Sequence, residues 1–534
     1  MFETVSNLLK ELPDYPNVIR MSEEEIARAA AEVGIPTRYG SRAYAGGVKN
    51  RTSALTVAIG SKGQIAQSTR KKRDLRKSAE DILASVAEYM KKVPILRVDA
   101  AMGANDTFAP RCVMYLSLYR RDSVRLAHMV LSNLFPARKS GDTMTVIAIP
   151  EWQEKERSIL VFPDSGVTFI LGSDYYGEIM TAFRRTAIHR AAESGVLGLH
   201  AGAKTAFARD ENGKLRKLGM LFFGIAGTGK TTHVCHNHGL TDFGEGVKIL
   251  QDELVFMNDA GSVMGSERGF YIKTCDLTKE NNPLLYYGAI QRGAVLENVL
   301  VDGEGNVCFE DKTLTNNGRA IVRKEDLGAF AADSVNLPPL DELDELIMFF
   351  MVRRTTVMPI VSRLTPEQAA VAFLLSESVD ITGADAKEIQ KAHHGPMLLG
   401  GTGKDANIFC DILRKHSDKI SCYMLNTGGV GEIVEHGLDG TKTVRRKAAR
   451  IPIDETSAVI RSIARGDAEW REDPDRLLET PSRVGGMDIS RYDLSRYYEQ
   501  DMRDALIADM RREQAIYVGK IKGLSEKIKK AAEF

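Results

Sequence analysis

The chain has no excess of charge of either sign: 72 Lys and Arg face 72 Asp and Glu. A neutral total gives no reason to expect a nucleic acid or an anionic membrane as partner, although a local basic cleft can hide inside it. There is no run of about 18 apolar residues, so no membrane span is expected. The start, MFETVSNLLKELPDYP, carries acidic residues and lacks the apolar stretch of a secretory signal. Cysteines are few and scattered, at 112, 235, 275, 308, 410 and 422, and none forms a CxxC pair. That excludes a dense disulfide framework and fits reduced thiols in a cytoplasmic protein. Internal repeats and low-complexity linkers are also absent. What remains is ordinary for a globular protein, with 43% apolar and 27% charged residues. At 534 residues the chain exceeds one ordinary core, and two large lobes are expected.

Patterning places elements along those lobes. Residues 22–33 read as an amphipathic helix whose Ser22 and Glu25 form a capping box. Residues 78–92 and 122–135 have helical periodicity. ALTVAI (54–59), MTVIAI (144–149) and GVTFILG (166–172) read as strands, being short and rich in Val and Ile. Residues 1–195 thus form a mixed α/β lobe without a nucleotide motif. From 196 to 534 the character changes to a nucleotide lobe: strands and Gly/Asn/Asp turns to about 325, mainly helices from 341 to 420, and charged amphipathic helices at 488–532 packed on the outside.

MLFFG (220–224) is a buried strand, and Gly224-Ile225-Ala226-Gly227-Thr228-Gly229-Lys230-Thr231 follows it directly. The segment fits G-x-x-x-x-G-K-[ST], with the strand before it and a helix, KTTHVCHNHG, expected after it. Glycines let a backbone wrap phosphates at φ values other residues avoid. The exposed N–H groups and the helix start then face the anion. In this reading Lys230 reaches the β- and γ-phosphates and the Thr231 hydroxyl touches a divalent metal.

Two similar patterns carry less. Gly400-Gly-Thr-Gly-Lys404 lacks a preceding β-branched strand and a Ser or Thr after its lysine, and reads as a glycine turn. His233, Cys235, His236 and His238 resemble a metal cluster. On the expected helix, however, 233, 236 and 238 cannot share one face, so they read as partly exposed helix residues. VKILQDELVFM (247–257) is expected to be a second strand, carrying Gln251, Asp252 and Glu253. Alternation sets Asp252 on one face, and a carboxylate at that place holds the metal that bridges the phosphates.

With these residues in view the chain resembles phosphoenolpyruvate carboxykinase, nearer its ATP-dependent branch. FFGIAGTGKTT (222–232) is the most specific stretch. QDE (251–253), GFYIKT (269–274), GAVLENV (293–299), TNNGR (315–319), VMPIVSRLT (357–365), NTGGVG (426–431) and RIPIDETSAVI (450–460) follow in order. RVDAAMGAN (97–105) and DYYGE (174–178) extend the likeness into the first lobe. The resemblance implies an α/β, two-lobed fold with the active site between the lobes. It also implies ATP with Mg2+ or Mn2+, and conversion of oxaloacetate to phosphoenolpyruvate and CO2. Arg51, Tyr175 and Arg319 match its substrate-binding residues. Lys273 adds charge at the γ-phosphate. His200 and Asp252, with Thr231, match its metal site. Residues 224–232 through Thr232, with Glu297, Arg450 and Thr456, match its nucleotide site.

The chain departs from that pattern around the second half of the site. Thr181 stands where a metal-ligating lysine is usual, and a shifted spacing offers Arg184, which cannot lose its proton to become a ligand. Ala201-Gly202 replaces a cysteine-serine pair, Gln251 the first acid of an acidic pair, and Ala226 a serine. Three functions are therefore compatible with the sequence: the carboxykinase reaction, a kinase of the same fold with another acceptor, and a nucleotide-binding sensor without turnover. Nothing in it fixes an oligomeric state.

Overall fold

The computed structural model describes residues 1–60, 70–139, 141–153, 157–225, 227–275, 277–280, 282–378, 402–436, 442–473 and 475–533. Ala226, Gly400 and Gly401 lie outside the described residues. The chain divides into two compact units. The first holds Met1–Ser194 and Met264–Ala331; the second holds Gly195–Val263, Ala332–Gly395 and Gly401–Phe534. The first break falls where the residue pattern changes. Residues 264–331, placed with the nucleotide lobe from their turn-rich pattern, pack instead with the first unit, because their strands pair with Arg42–Tyr44.

Among the described residues the first unit contains two large sheets, besides the short pair Leu300–Val301 and Val307–Cys308. The larger one runs Val18–Arg20, Ile95–Ala101, Arg111–Ser117, Thr143–Ile149, Val167–Leu171, Ser158–Phe162, Thr56–Ala58. Its central strands are buried along almost their whole length, which explains why 144–149 and 166–172 read as continuous apolar runs. Phe162 and Phe169 meet edge-on at 5.9 Å in a core completed by Leu83, Val86 and Met90 of the helix Arg70–Met90. Each such side chain contributes about 1.5–3 kcal/mol by burial. The helix Glu23–Val33 starts at Ser22 with both capping-box hydrogen bonds in place. The smaller sheet runs Gly269–Lys273, Arg319–Arg323, Val295–Glu297, Arg42–Tyr44, Ile35–Pro36.

The second unit is built on one mixed sheet, in the order Gly246–Gln251, Ala201–Arg209, Leu215–Phe223, Glu345–Val352, Ile420–Asn426, Val361–Leu364, Leu478–Arg483, Glu469–Asp473. Leu215–Phe223 lies inside it, antiparallel to Ala201–Arg209 and parallel to Glu345–Val352. Phe222 stacks on Phe349 at 5.1 Å and Phe223 on Phe350 at 4.6 Å, so the strand end feeding the glycine loop is pinned.

Several expectations change here. The stretch 247–257 is two strands, Gly246–Gln251 and Val255–Met257, broken at Asp252-Glu253-Leu254. The helix after the glycine loop is only Lys230–Val234, so Cys235, His236 and His238 lie beyond it. Residues 341–420 hold the strands Glu345–Val352 and Val361–Leu364 besides the helices Pro366–Ser378 and Thr402–Lys415. Thr402, Gly403 and Lys404 open that last helix rather than forming a turn. The tail does contain a long helix, Gln500–Gly519. Among the described residues no helix is long and apolar enough to cross a membrane.

Candidate active site

In the second unit the loop takes the conformation its glycines allow. Gly224, Gly227 and Gly229 have φ of 153°, 90° and 91°. At Gly224 a Cβ would lie 2.4 Å from the Thr228 hydroxyl, so any side chain would break the turn. Thr228 donates its hydroxyl to the Ile225 carbonyl at 2.8 Å. Its own carbonyl accepts from Thr427, and Arg353 donates to the Gly227 carbonyl at 3.1 Å.

Lys230 and Thr231 then converge on the strand break. Lys230 Nζ donates to the Asp252 carbonyl at 2.8 Å and lies 3.7 Å from Glu253 Oε2. Thr231 donates its hydroxyl to Asp252 Oδ2 at 2.7 Å. The other carboxylate oxygen, Asp252 Oδ1, is buried with no hydrogen-bond partner. Burial pushes the Asp252 carboxyl up to about 6, with Lys230 pulling the other way and Glu253 adding to the rise. His200, 3.5 Å from Glu253 Oε1, also lowers the Asp252 value. A buried carboxylate oxygen left over beside a hydroxyl and an imidazole is a donor set that fits a hard divalent cation retaining some of its waters.

The altered positions have physical accounts. A Cβ on Gly202 would lie 2.4 Å from Val234 Cγ2 and 3.2 Å from the Asp252 Cα, so a serine there requires Val234 to shift. Thr181 donates its hydroxyl to the Gly177 carbonyl at 2.7 Å and is buried in its helix. Arg184 is held by Glu267 through bonds of 2.6 and 2.7 Å, a buried fork that leaves it no ligand role.

The histidines serve another purpose. Lys204, fully buried, donates to the carbonyls of His233 and His236 at 2.6 and 2.8 Å and contacts His238 Nε2. It thereby satisfies carbonyls at the end of the short helix, which sequence reasoning missed. No carboxylate pairs with Lys204 among the described residues, and burial pushes its ammonium well down. His233 and His238 are buried, not partly exposed. Among the described residues no three His, Cys, Asp or Glu side chains are grouped to hold a metal. His233 Nε2 lies 3.1 Å from the Thr456 hydroxyl, which ties Thr456 to the loop helix. Arg450, exposed, pairs in register with Gly429.

The first unit gathers the remaining residues. Lys273 and Arg319 are register partners across two strands, and Arg319 is in turn opposite Glu297. The Arg319 guanidinium lies over the Tyr271 ring at 5.3 Å. Glu297 is fully buried; it accepts from the Tyr271 hydroxyl at 2.7 Å and the Tyr176 N–H at 3.0 Å, and pairs with Arg125 at 3.4 Å.

The loop before Arg51 is tied to the same place. Asp174 accepts from Gly47 and Val48 N–H at 2.8 and 2.9 Å, and Glu178 from Thr52 N–H at 2.6 Å. Asn317 donates to the Lys49 carbonyl at 2.7 Å and to the Tyr175 hydroxyl at 3.2 Å. Arg51 itself is exposed. Asp174, Glu178, Asn317 and Arg125 were not singled out from the sequence. Three of them lie within DYYGE and TNNGR, where the polar residues flanking the chosen ones were the available signal.

Comparison with known proteins agrees with this layout. A model of the phosphoenolpyruvate carboxykinase family matches residues 22–490. A phosphoenolpyruvate carboxykinase (ATP) of Aeropyrum pernix is 29% identical over 470 residues, spanning 87% of this chain and 88% of that protein. Another, of Shouchella clausii, is 26% identical over 420 residues, covering 75% of this chain and 73% of its own length. A third, of Rhizobium rhizogenes, is 27% identical over 338 residues, or 62% and 56% of the two chains. The matched span includes both the glycine loop with its carboxylate and the Lys273–Arg319–Tyr175 group, and the chain belongs to the phosphoenolpyruvate carboxykinase family.

Proposed function

We propose that this protein converts oxaloacetate and ATP to phosphoenolpyruvate, CO2 and ADP, in either direction. The observation that carries the reading is the Asp252 carboxylate, one oxygen bonded to Thr231 and the other buried without a partner, beside Lys230. In this reading residues 224–232 hold the triphosphate with their N–H groups, and Lys230 neutralises the β- and γ-phosphates. Asp252, Thr231 and His200 would hold Mg2+ or Mn2+. When bound, such a cation supplies charge to the transferring phosphoryl group. Arg450 and Thr456 hold the adenosine end, with Glu297 supporting from its own sheet.

Arg51, Arg319 and Tyr175 orient the dicarboxylate. Breaking the bond to the departing carboxylate leaves its electron pair on the enolate, whose oxygen takes the γ-phosphoryl group. Arg319 and Lys273 supply fixed positive charge where that negative charge grows. The network through Asp174, Glu178 and Asn317 keeps the Arg51 loop and Tyr175 from paying reorganisation at that moment.

A second reading, a kinase with another acceptor, is favoured only by Thr181, Ala201 and Gly202 at the altered positions. One assay separates them. The carboxykinase reading expects CO2 release from oxaloacetate that requires both ATP and Mn2+, with phosphoenolpyruvate in equal amount. Phosphate transfer to other acceptors without CO2 release would remove it.

A further inference from the structure

We infer that the first unit carries a second small-molecule site, a pocket for a compact polyanion bearing two or three carboxylate or phosphate groups. The pocket has a volume of about 430 Å³. That is within the usual range for ligand sites and well above a packing defect. Four arginines line it, Arg42, Arg268, Arg292 and Arg323, together with His128 and Ser132 from one helix.

The charge is not cancelled. Arg268 is paired with Glu23 at 3.0 Å, and Arg323 with Asp326 at 3.0 Å. Glu325 also faces the pocket. Arg42 and Arg292 have no ion pair among the described residues. Two guanidiniums held in no ion pair, against the one further acid Glu325, leave this concave site net positive and suited to an anionic ligand.

The backbone is shaped to bring them in. Gly293 stands where a Cβ would lie 2.0 Å from the Arg323 guanidinium, so the glycine lets that side chain cross the strand end. Gly40, at φ 87°, stands where a Cβ would lie 3.2 Å from Arg292 Cγ. Register places Arg42 opposite Val295, directly after the Arg292 turn, which holds the two uncompensated arginines on neighbouring strand ends. Residues of the proposed active site lie at the other ends of these strands: Glu297 on one and Arg319 on the other. The pocket therefore lies at the opposite strand ends from the Lys273–Arg319 pair. Its concave form suits a small molecule rather than a flat protein or nucleic-acid partner.

The test is calorimetry at fixed ionic strength on the full chain saturated with a non-hydrolysable ATP analogue, Mn2+ and oxalate, so that the catalytic groups are already occupied. Tricarballylate probes the carboxylate source and inorganic phosphate the phosphate source. The expected result is saturable binding of at least one of them with a Kd near or below about 1 mM. Arg292→Gln, on an exposed turn, is expected to weaken it at least about tenfold, and the double variant with Arg42→Gln to abolish it. Turnover without the anion should be unchanged in Arg292→Gln, since that side chain has no part in catalysis. Absence of saturable binding of both probes, or equal affinity in wild type and Arg292→Gln, overturns the proposal.

Discussion

In the proposed function Asp252 is the residue on which the nucleotide half depends. Its folded value, about 6, lies above the 3.8 of a free carboxyl. Below pH 3.8 it is protonated whether the chain is folded or not. As pH rises from there to about 6 the unfolded chain ionises first, so this residue costs the metal-free fold stability. A divalent cation needs the ionised form. Mn2+ affinity should therefore fall about tenfold for each pH unit below 6 and level off above it, a profile measurable by electron paramagnetic resonance. Asp252→Asn should bind Mn2+ weakly at every pH. Gly202 makes a complementary case. Gly202→Ser, which restores the residue usual in the family, should destabilise the protein by about 1–3 kcal/mol in urea unfolding, because its Cβ overlaps Val234. A stable, more active Gly202→Ser protein would refute that account. At this scale the glycine loop and Asp252 were legible because phosphate binding demands a fixed residue order. Lys204 was not, because its partners are backbone carbonyls of residues about 30 positions away, and a carbonyl has no sequence signature.

Among elements, the segment 46–52 shows how a loop is given the precision of a strand. Asp174 accepts two of its N–H groups and also pairs with Arg125 at 3.1 Å. In Asp174→Asn one of those acceptors becomes a donor and the charge is lost. The KM for oxaloacetate should then rise about tenfold while the KM for ATP stays within about twofold, as steady-state kinetics would show. Equal changes in both would mean a general loss of fold. Element types were readable where one face alternates or one strand is wholly apolar, as at 144–149. At 247–257 the type held but the extent did not. There periodicity runs on through Asp252-Glu253-Leu254, but the strand stops: Gln251 turns back to donate to the Leu254 carbonyl at 2.7 Å. The helix after the glycine loop also ends sooner than expected, at Val234, where Lys204 takes the His233 carbonyl.

For the whole molecule, the division of labour between two units predicts separable ligand effects. ATP with Mn2+ at about 100 times its Kd should stabilise the protein by about 2.7 kcal/mol, seen as a rise in Tm. Lys230→Ala should abolish that rise, and Arg319→Ala should leave most of it, because the proposed role of Arg319 is to orient the dicarboxylate. A change of residue pattern near 195 was visible in the sequence. The return of 264–331 to the first unit was not, since strand pairing between distant segments leaves no local trace. The amine stored beneath the nucleotide loop also bears on how this chain reaches its native state. In water Lys204 carries a proton; in its carbonyl and imidazole nest, with no acid beside it among the described residues, its hold on that proton is weaker. The folded chain should therefore gain stability relative to the unfolded one as pH rises toward the free-lysine range.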